Sequence, residues 1–122
     1  MFLLDGPMPK GMEEAIAEVD SGNSSFVAPE LILVESGHVL TRKRSRGLLS
    51  DKEAETVWRN MRKTPMDLLA AEDHIDRAMA VAQRHRLSVY DAMYLAVAEY
   101  VGGTLLTADD ALARVGKSVL LG

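Results

Sequence analysis

The chain has 122 residues, the size of one ordinary domain, and its 48% hydrophobic and 26% charged residues are typical of a folded globular protein. The absence of cysteine excludes disulfides, thiolate metal sites and a catalytic thiol, and it fits a reducing compartment such as the cytoplasm. A net charge of −4 argues against binding to nucleic acid through bulk positive charge, though not against a local basic patch. No apolar run approaches the ~20 residues of a membrane span. We therefore expect a single domain over residues 1–122 that does not enter a membrane.

Helices and short strands are predicted to alternate along the chain. Apolar residues at helical spacing predict a helix over residues 12–19, and residues 26–28 form a short apolar strand. Pro29 suits the first turn of a second helix, which ends at the cations before Gly47. Residues 50–53 match a capping box that opens the third helix. The remaining predicted elements are a weak strand at 66–69, a helix marked by Ile75, Ala78, Met79 and Ala82, a helix from near Tyr90 to Gly102, a strand at 104–107, a short helix to 115 and a strand at 118–121.

This alternation predicts the fold class and the edge where a ligand binds. Short apolar strands separated by helices indicate an α/β protein, a three-layer α/β/α sandwich with a mostly parallel sheet. Ligands of such sheets collect at the carboxyl ends of the strands. The candidate site residues are therefore acids that follow predicted strands.

Three acids meet this condition. Asp109 comes two residues after the strand at 104–107, Asp91 lies at the start of the helix near Tyr90, and Glu35 interrupts an apolar run. Each acid alone has a simpler explanation, because Asp91 and Asp109 can cap helices and Glu35 can face water. Their convergence from three segments favours a shared cation, and carboxylates without Cys or paired His select Mg²⁺ or Mn²⁺.

Three segments resemble a known family. Residues 90–99 read YDAMYLAVAE and residues 103–109 read GTLLTAD, while an acidic segment upstream runs from Ala28 to Glu35. Together they resemble the PIN-domain ribonucleases, especially the VapC-type toxins of toxin–antitoxin modules. The resemblance runs from about residue 3 to residue 122 and is most specific over residues 90–109.

The resemblance implies a site, a reaction and partners. In this family four acids bind Mg²⁺ and cut single-stranded or exposed RNA, and Glu35, Asp91 and Asp109 match three of them as catalytic and metal-binding residues, with Asp110 as an auxiliary candidate. It also implies a homodimer and an antitoxin whose helix lies in a groove and places an arginine against the carboxylates. The groove is expected along residues 48–61, which include Trp58.

The chain departs from the family pattern at two positions. Family members begin with a strand that ends in Asp followed by a small hydroxyl residue. Here Asp5 is followed by Gly-Pro, and its distance from Glu35 along the chain is several residues shorter than the family pattern. We favour a chain that lacks this first strand over one in which Asp5 replaces the family's acid. In addition, His38 stands where the family commonly has Asn, and it could donate a hydrogen bond to Glu35 one turn away.

Two other function classes remain open. A non-catalytic PIN-like module that binds RNA or a protein fits a chain without the first acid. A receiver-like signalling domain fits poorly, because Lys117 precedes its strand instead of following one. The basic residues from Arg42 to Arg46 suit either RNA backbone or a solvated helix end. Base stacking by Tyr90, Tyr94 and Tyr100 is a weaker interpretation, with Tyr94 expected in the core and His74 and His85 on the surface.

Overall fold

Five α-helices and four short strands make up the described part of the chain. The computed structural model describes residues 11–107, residue 114 and the backbone of residues 118–120. The helices are α1 (Met12–Asp20), α2 (Leu31–Ser45), α3 (Asp51–Lys63), α4 (Ile75–His85) and α5 (Val89–Val101), and the strands are β1 (Val27–Pro29), β2 (Asp67–Leu69), β3 (Leu105–Thr107) and β4 (Ser118–Leu120). None of the described helices is both long enough and apolar enough to cross a membrane. Asp5 and the short helix predicted after residue 107 lie outside the described residues.

The strands form two parallel pairs. In the first pair β1 lies beside β2 with Val27 opposite Asp67, and in the second β3 lies beside β4 with Leu105 opposite Ser118. Helix α5 contacts both β1 and β3 and so joins the two pairs. The predicted α/β class with parallel strands is confirmed, including the weak strand at 66–69.

The core lies between α4 and α5. Small side chains at this contact allow the two helices to approach closely, and larger residues such as Val81 and Leu95 fill the remaining space. Met79, one of the four residues whose spacing predicted α4, lies on the exposed side of the helix, at 57% exposure. The buried face of α4 instead carries Val81, which lies on the same side of the helix as Ala78 and Ala82.

Local sequence explains most helix boundaries. The predicted capping box of α3 is present, since Ser50 Oγ accepts a hydrogen bond from the Glu53 amide while Glu53 accepts one from the Ser50 amide. Pro29 does not lie in α2 as expected. It is the buried last residue of β1, and the strand ladder ends with the Glu30 amide donating to the carbonyl of Leu69 at 2.8 Å. A proline suits this strand end because it has no amide hydrogen to satisfy.

His74 is buried, contrary to the expectation that it lies on the surface. Its exposed fraction is 4%, and its ring packs edge to face on Tyr100 with 4.8 Å between ring centroids. The Nδ1 atom of His74 lies 3.1 Å from a guanidinium nitrogen of Arg77, which also covers the face of Tyr100. These contacts connect the beginning of α4 to the end of α5. His85 is partly exposed, and Arg84 donates to its Nε2 at 3.2 Å.

Candidate functional site

Glu35 and Asp91 project from two helices that follow the strand edge. Glu35 lies in the second turn of α2, directly after β1, and Asp91 is the third residue of α5. Both residues are partly buried. Glu35 therefore does not simply face water, because its helix places it against α5 instead of in open solvent.

A tyrosine hydroxyl connects the two helices at this point. Tyr94 lies one turn after Asp91 on α5, and its hydroxyl donates a hydrogen bond to Glu35 Oε1 at 2.5 Å. Residues three apart on a helix share a face, so this contact brings Glu35 to the face of α5 that carries Asp91. The hydrogen bond joins residues 59 positions apart in sequence. Two of the three candidate acids thus lie around one tyrosine.

The electrostatics of the site agree with this geometry. Partial burial raises the pKa of Tyr94, and the hydrogen bond to Glu35 and the negative charges of Glu35 and Asp91 raise it further. The phenol therefore remains protonated at neutral pH and can act as a hydrogen-bond donor. Because the charges of both Glu35 and Asp91 reach the same hydroxyl, the site is a small region of negative potential.

The cap of α5 is supplied by Ser88 and not by Asp91. Ser88 Oγ accepts a hydrogen bond from the Asp91 amide at 3.1 Å, and the Asp91 carboxylate takes no part in this bond. The explanation of Asp91 as only a capping residue is therefore wrong. Its carboxylate lies in the first turn, where the helix dipole favours negative charge.

An open groove runs beside Glu35. It has a volume of about 370 Å³ and is formed by one row of α2 and the first turn of α5. Its walls are largely apolar, and Val34 and Tyr90 are exposed to 70% and 65%. The lining residues are Leu31, Val34, Glu35, His38, Val39 and Tyr90. Helix α3 contributes none of them, and Trp58 is partly buried near Gly37 of α2.

The basic end of α2 is largely exposed. Arg44 forms an exposed ion pair of 3.7 Å with Asp51 at the start of α3. The basic residues from Arg42 to Arg46 also lie at the negative end of the helix dipole, which favours positive charge. A solvated helix end and an RNA contact therefore explain them equally well.

The donor set of the site suits a hard divalent cation. Glu35 and Asp91 offer carboxylate oxygens, and the partly buried setting reduces competition from bulk water. Asp109 and Asp110 lie outside the described residues, two and three positions after the end of β3. Within the described residues alone, no group of three or more His, Cys, Asp or Glu side chains is placed to hold a metal ion.

Two features of the site differ from sequence-based expectation. Within the described part of the chain, the donor to Glu35 is Tyr94, and the exposed His38 makes no such hydrogen bond. Tyr94 was expected to be a core residue, and it does pack against the edge of the core, but its hydroxyl also contacts Glu35. Its spacing of three from Asp91 was the available signal, because that spacing places a polar group beside the acid on an otherwise apolar helix.

The family follows from comparison of the whole chain with known proteins. A family model described as PIN domain matches residues 3–118. The chain belongs to the PIN domain family. The matched range includes all three candidate acids, Glu35, Asp91 and Asp109.

Two relatives of this PIN domain come from Pyrobaculum aerophilum. Ribonuclease VapC3 is 36% identical over 89 residues, which cover 70% of this chain and 66% of VapC3. The chain thus spans just under two thirds of the length of that relative. The crystal structure of PAE2754 matches with a TM-score of 0.58 and 25% identity over 76% of this chain and 68% of PAE2754. This PIN domain is therefore related to VapC ribonucleases and shares its fold with PAE2754.

Proposed function

We propose that this PIN domain is a metal-dependent endoribonuclease that hydrolyses RNA phosphodiester bonds. The observation that carries the proposal is the hydrogen bond from Tyr94 to Glu35, which brings Glu35 to the face of α5 that carries Asp91. The relationship to ribonuclease VapC3 supports the same reaction class. In this proposal Glu35, Asp91 and Asp109 hold Mg²⁺ or Mn²⁺, with Asp110 as an auxiliary residue.

Each residue has a distinct function in the proposed reaction. A divalent cation at such a site neutralises charge on the phosphate and activates water. Glu35 and Asp91 provide the oxygen ligands, and neither acts as a nucleophile. Tyr94 donates to Glu35 Oε1, and in this proposal the other carboxylate oxygen, Oε2, is the metal ligand. The apolar walls and the exposed ring of Tyr90 offer a surface for the RNA chain beside the acids.

RNA cleavage tests this function. The purified chain is incubated with single-stranded RNA in Mg²⁺ or Mn²⁺, with and without EDTA, and the products are separated on a gel. We expect cleavage that EDTA abolishes and that Asp91→Asn and Glu35→Gln reduce at least 100-fold, because both substitutions remove ligand charge. Asp76→Asn is the control, since Asp76 is exposed on α4. No cleavage with either metal would contradict the proposal and favour a non-catalytic binding module.

We further propose that the chain is the toxin of a toxin–antitoxin pair and that it forms a homodimer, as its resemblance to VapC-type toxins implies. The groove beside Glu35 offers an apolar surface next to negative charge, which suits a helix carrying an arginine. The product of the neighbouring gene, co-expressed with the chain, should bind it with an affinity that falls as salt rises. Asp91→Asn should weaken this binding. Binding unaffected by both salt and substitution would place the partner elsewhere, and light scattering of the free chain tests the dimer.

A further inference from the structure

We propose that Tyr94 is a positioning residue, whose hydroxyl holds Glu35 Oε1 so that the other carboxylate oxygen is presented to a divalent cation. This inference rests on the proposed function, because it concerns how the same acids bind metal. It adds a residue that is not an acid and does not itself contact the cation. The bond on which it rests joins α2 to α5.

The position of the Tyr94 ring is set by the core of the protein. Its neighbours on α5, Met93 and Leu95, are 3% and 1% exposed, so the rotation of the helix about its axis is fixed by packing. Tyr94 itself packs against the edge of this core. The Tyr94 hydroxyl is therefore held by a rigidly packed helix, α5, and contacts a carboxylate on a different helix, α2.

Glu35 has no comparable support of its own. Its side chain has several rotatable bonds, and within the described residues the Tyr94 hydroxyl is its hydrogen-bond donor. A glutamate of this kind samples several rotamers unless a partner selects one. The bond to Tyr94 selects a conformation before the metal arrives, so less side-chain freedom is lost when the metal binds.

The polarity of the hydrogen bond makes the contact specific. A phenol hydroxyl donates to the carboxylate of Glu35, and a hydrogen bond to a carboxylate is stronger than one between two neutral groups. Removing a residue that hydrogen-bonds to a metal ligand typically lowers metal affinity by about 10–100-fold. Tyr94→Phe removes only the hydroxyl and keeps the ring.

Metal affinity measured without RNA tests the inference. The dissociation constant of Mn²⁺ is measured by electron paramagnetic resonance for the wild-type chain, Tyr94→Phe, Glu35→Gln and the double variant. We expect Tyr94→Phe to weaken Mn²⁺ binding about 10-fold. In the Glu35→Gln background the same substitution should have no further effect, because the hydroxyl acts through the carboxylate. Tyr100→Phe is the matched control, since Tyr100 is also a partly exposed tyrosine of α5 but its ring packs on His74 and Arg77 and, within the described part of the chain, contacts neither acid.

The possible outcomes separate this inference from the proposed function. If the wild-type chain binds no Mn²⁺ and cleaves no RNA, both fail. Suppose that the wild-type chain binds Mn²⁺ and cleaves RNA. The positioning of Glu35 alone is then refuted if Tyr94→Phe binds Mn²⁺ as tightly as the wild-type chain, or if the effects of Tyr94→Phe and Glu35→Gln on Mn²⁺ affinity are fully additive.

A second measurement applies if Tyr94→Phe does not fold. In the wild-type chain labelled with ¹³C at the tyrosine ζ carbon, the Tyr94 resonance should shift as Mg²⁺ binds, whereas the resonance of Tyr100 should not. An unresponsive Tyr94 resonance at saturating Mg²⁺ would refute the inference.

Discussion

At the scale of single residues, helix capping and proposed metal binding belong to different side chains of the first turn of α5. Ser88 caps α5 through its hydroxyl, and the carboxylate of Asp91 in the same turn takes no part in that cap. We therefore expect Ser88→Ala to lower the free energy of unfolding by about 1 kcal/mol. Asp91→Asn should change it by less than that without metal, because a lost dipole interaction is offset by relief of repulsion with Glu35. Urea unfolding measures both changes, and a loss for Asp91→Asn as large as that for Ser88→Ala would contradict this expectation.

Tyr94 predicts a loss of stability at alkaline pH. Its folded-state pKa is raised above the unfolded value of about 10, so its contribution to stability is complete below that pH. As the pH rises above 10 the unfolded tyrosine ionises while the folded one does not, and the free energy of unfolding falls. We expect this alkaline loss to be larger in the wild-type chain than in Tyr94→Phe. Urea unfolding at pH 8 and pH 11 compares them, and equal losses would contradict the prediction.

At the scale of secondary-structure elements, α3 is stabilised locally by its capping box. Ser50→Ala removes the acceptor for the Glu53 amide and should lower the free energy of unfolding by about 1 kcal/mol. Thr56→Ala is the control, because Thr56 is exposed in the middle of α3 and alanine is a good helix former. If the two substitutions have the same effect in urea unfolding, the box does not stabilise the helix.

The same capping box predicts that the stability of the chain depends on pH in the acidic range. The hydrogen bond from the Ser50 amide lowers the pKa of Glu53 below its usual 4.5. A depressed folded-state pKa contributes stability that is present above the unfolded pKa and lost as the pH falls through the folded pKa. Glu53→Ala should therefore destabilise the chain more at pH 7 than at pH 2.5. Thermal unfolding at both pH values measures this difference, and an effect independent of pH would count against it.

At the scale of the whole molecule, the packing of α4 on α5 supports the site. Leu95 is 1% exposed at the centre of this packing, so Leu95→Ala should lower the free energy of unfolding by about 3 kcal/mol. Met79→Ala lies on the same pair of helices but on the exposed side, and it should change stability by less than 1 kcal/mol. Urea unfolding distinguishes the two. Similar losses would mean that the core is not where the structure places it.

Much of this protein follows from local sequence. The alternation of apolar strands and helices led to the parallel α/β class, and the segments around Asp91 and Glu35 led to the PIN family, which the comparison confirms. The capping box of α3 could also be predicted, because its residues contact each other within one turn. Patterns of this kind are local, so neighbours in sequence are enough to determine them.

Only the tertiary structure decided which groups meet across long sequence separations. It buried His74 against Tyr100, and it placed the hydroxyl of Tyr94 on Glu35 where sequence spacing had suggested His38. His38 is near Glu35 along one helix, but Tyr94 reaches it because α5 packs beside β1 and α2 begins at the end of that strand. Sequence spacing limits which residues of one helix can touch, whereas the packing of helices and strands determines which distant side chains form the site.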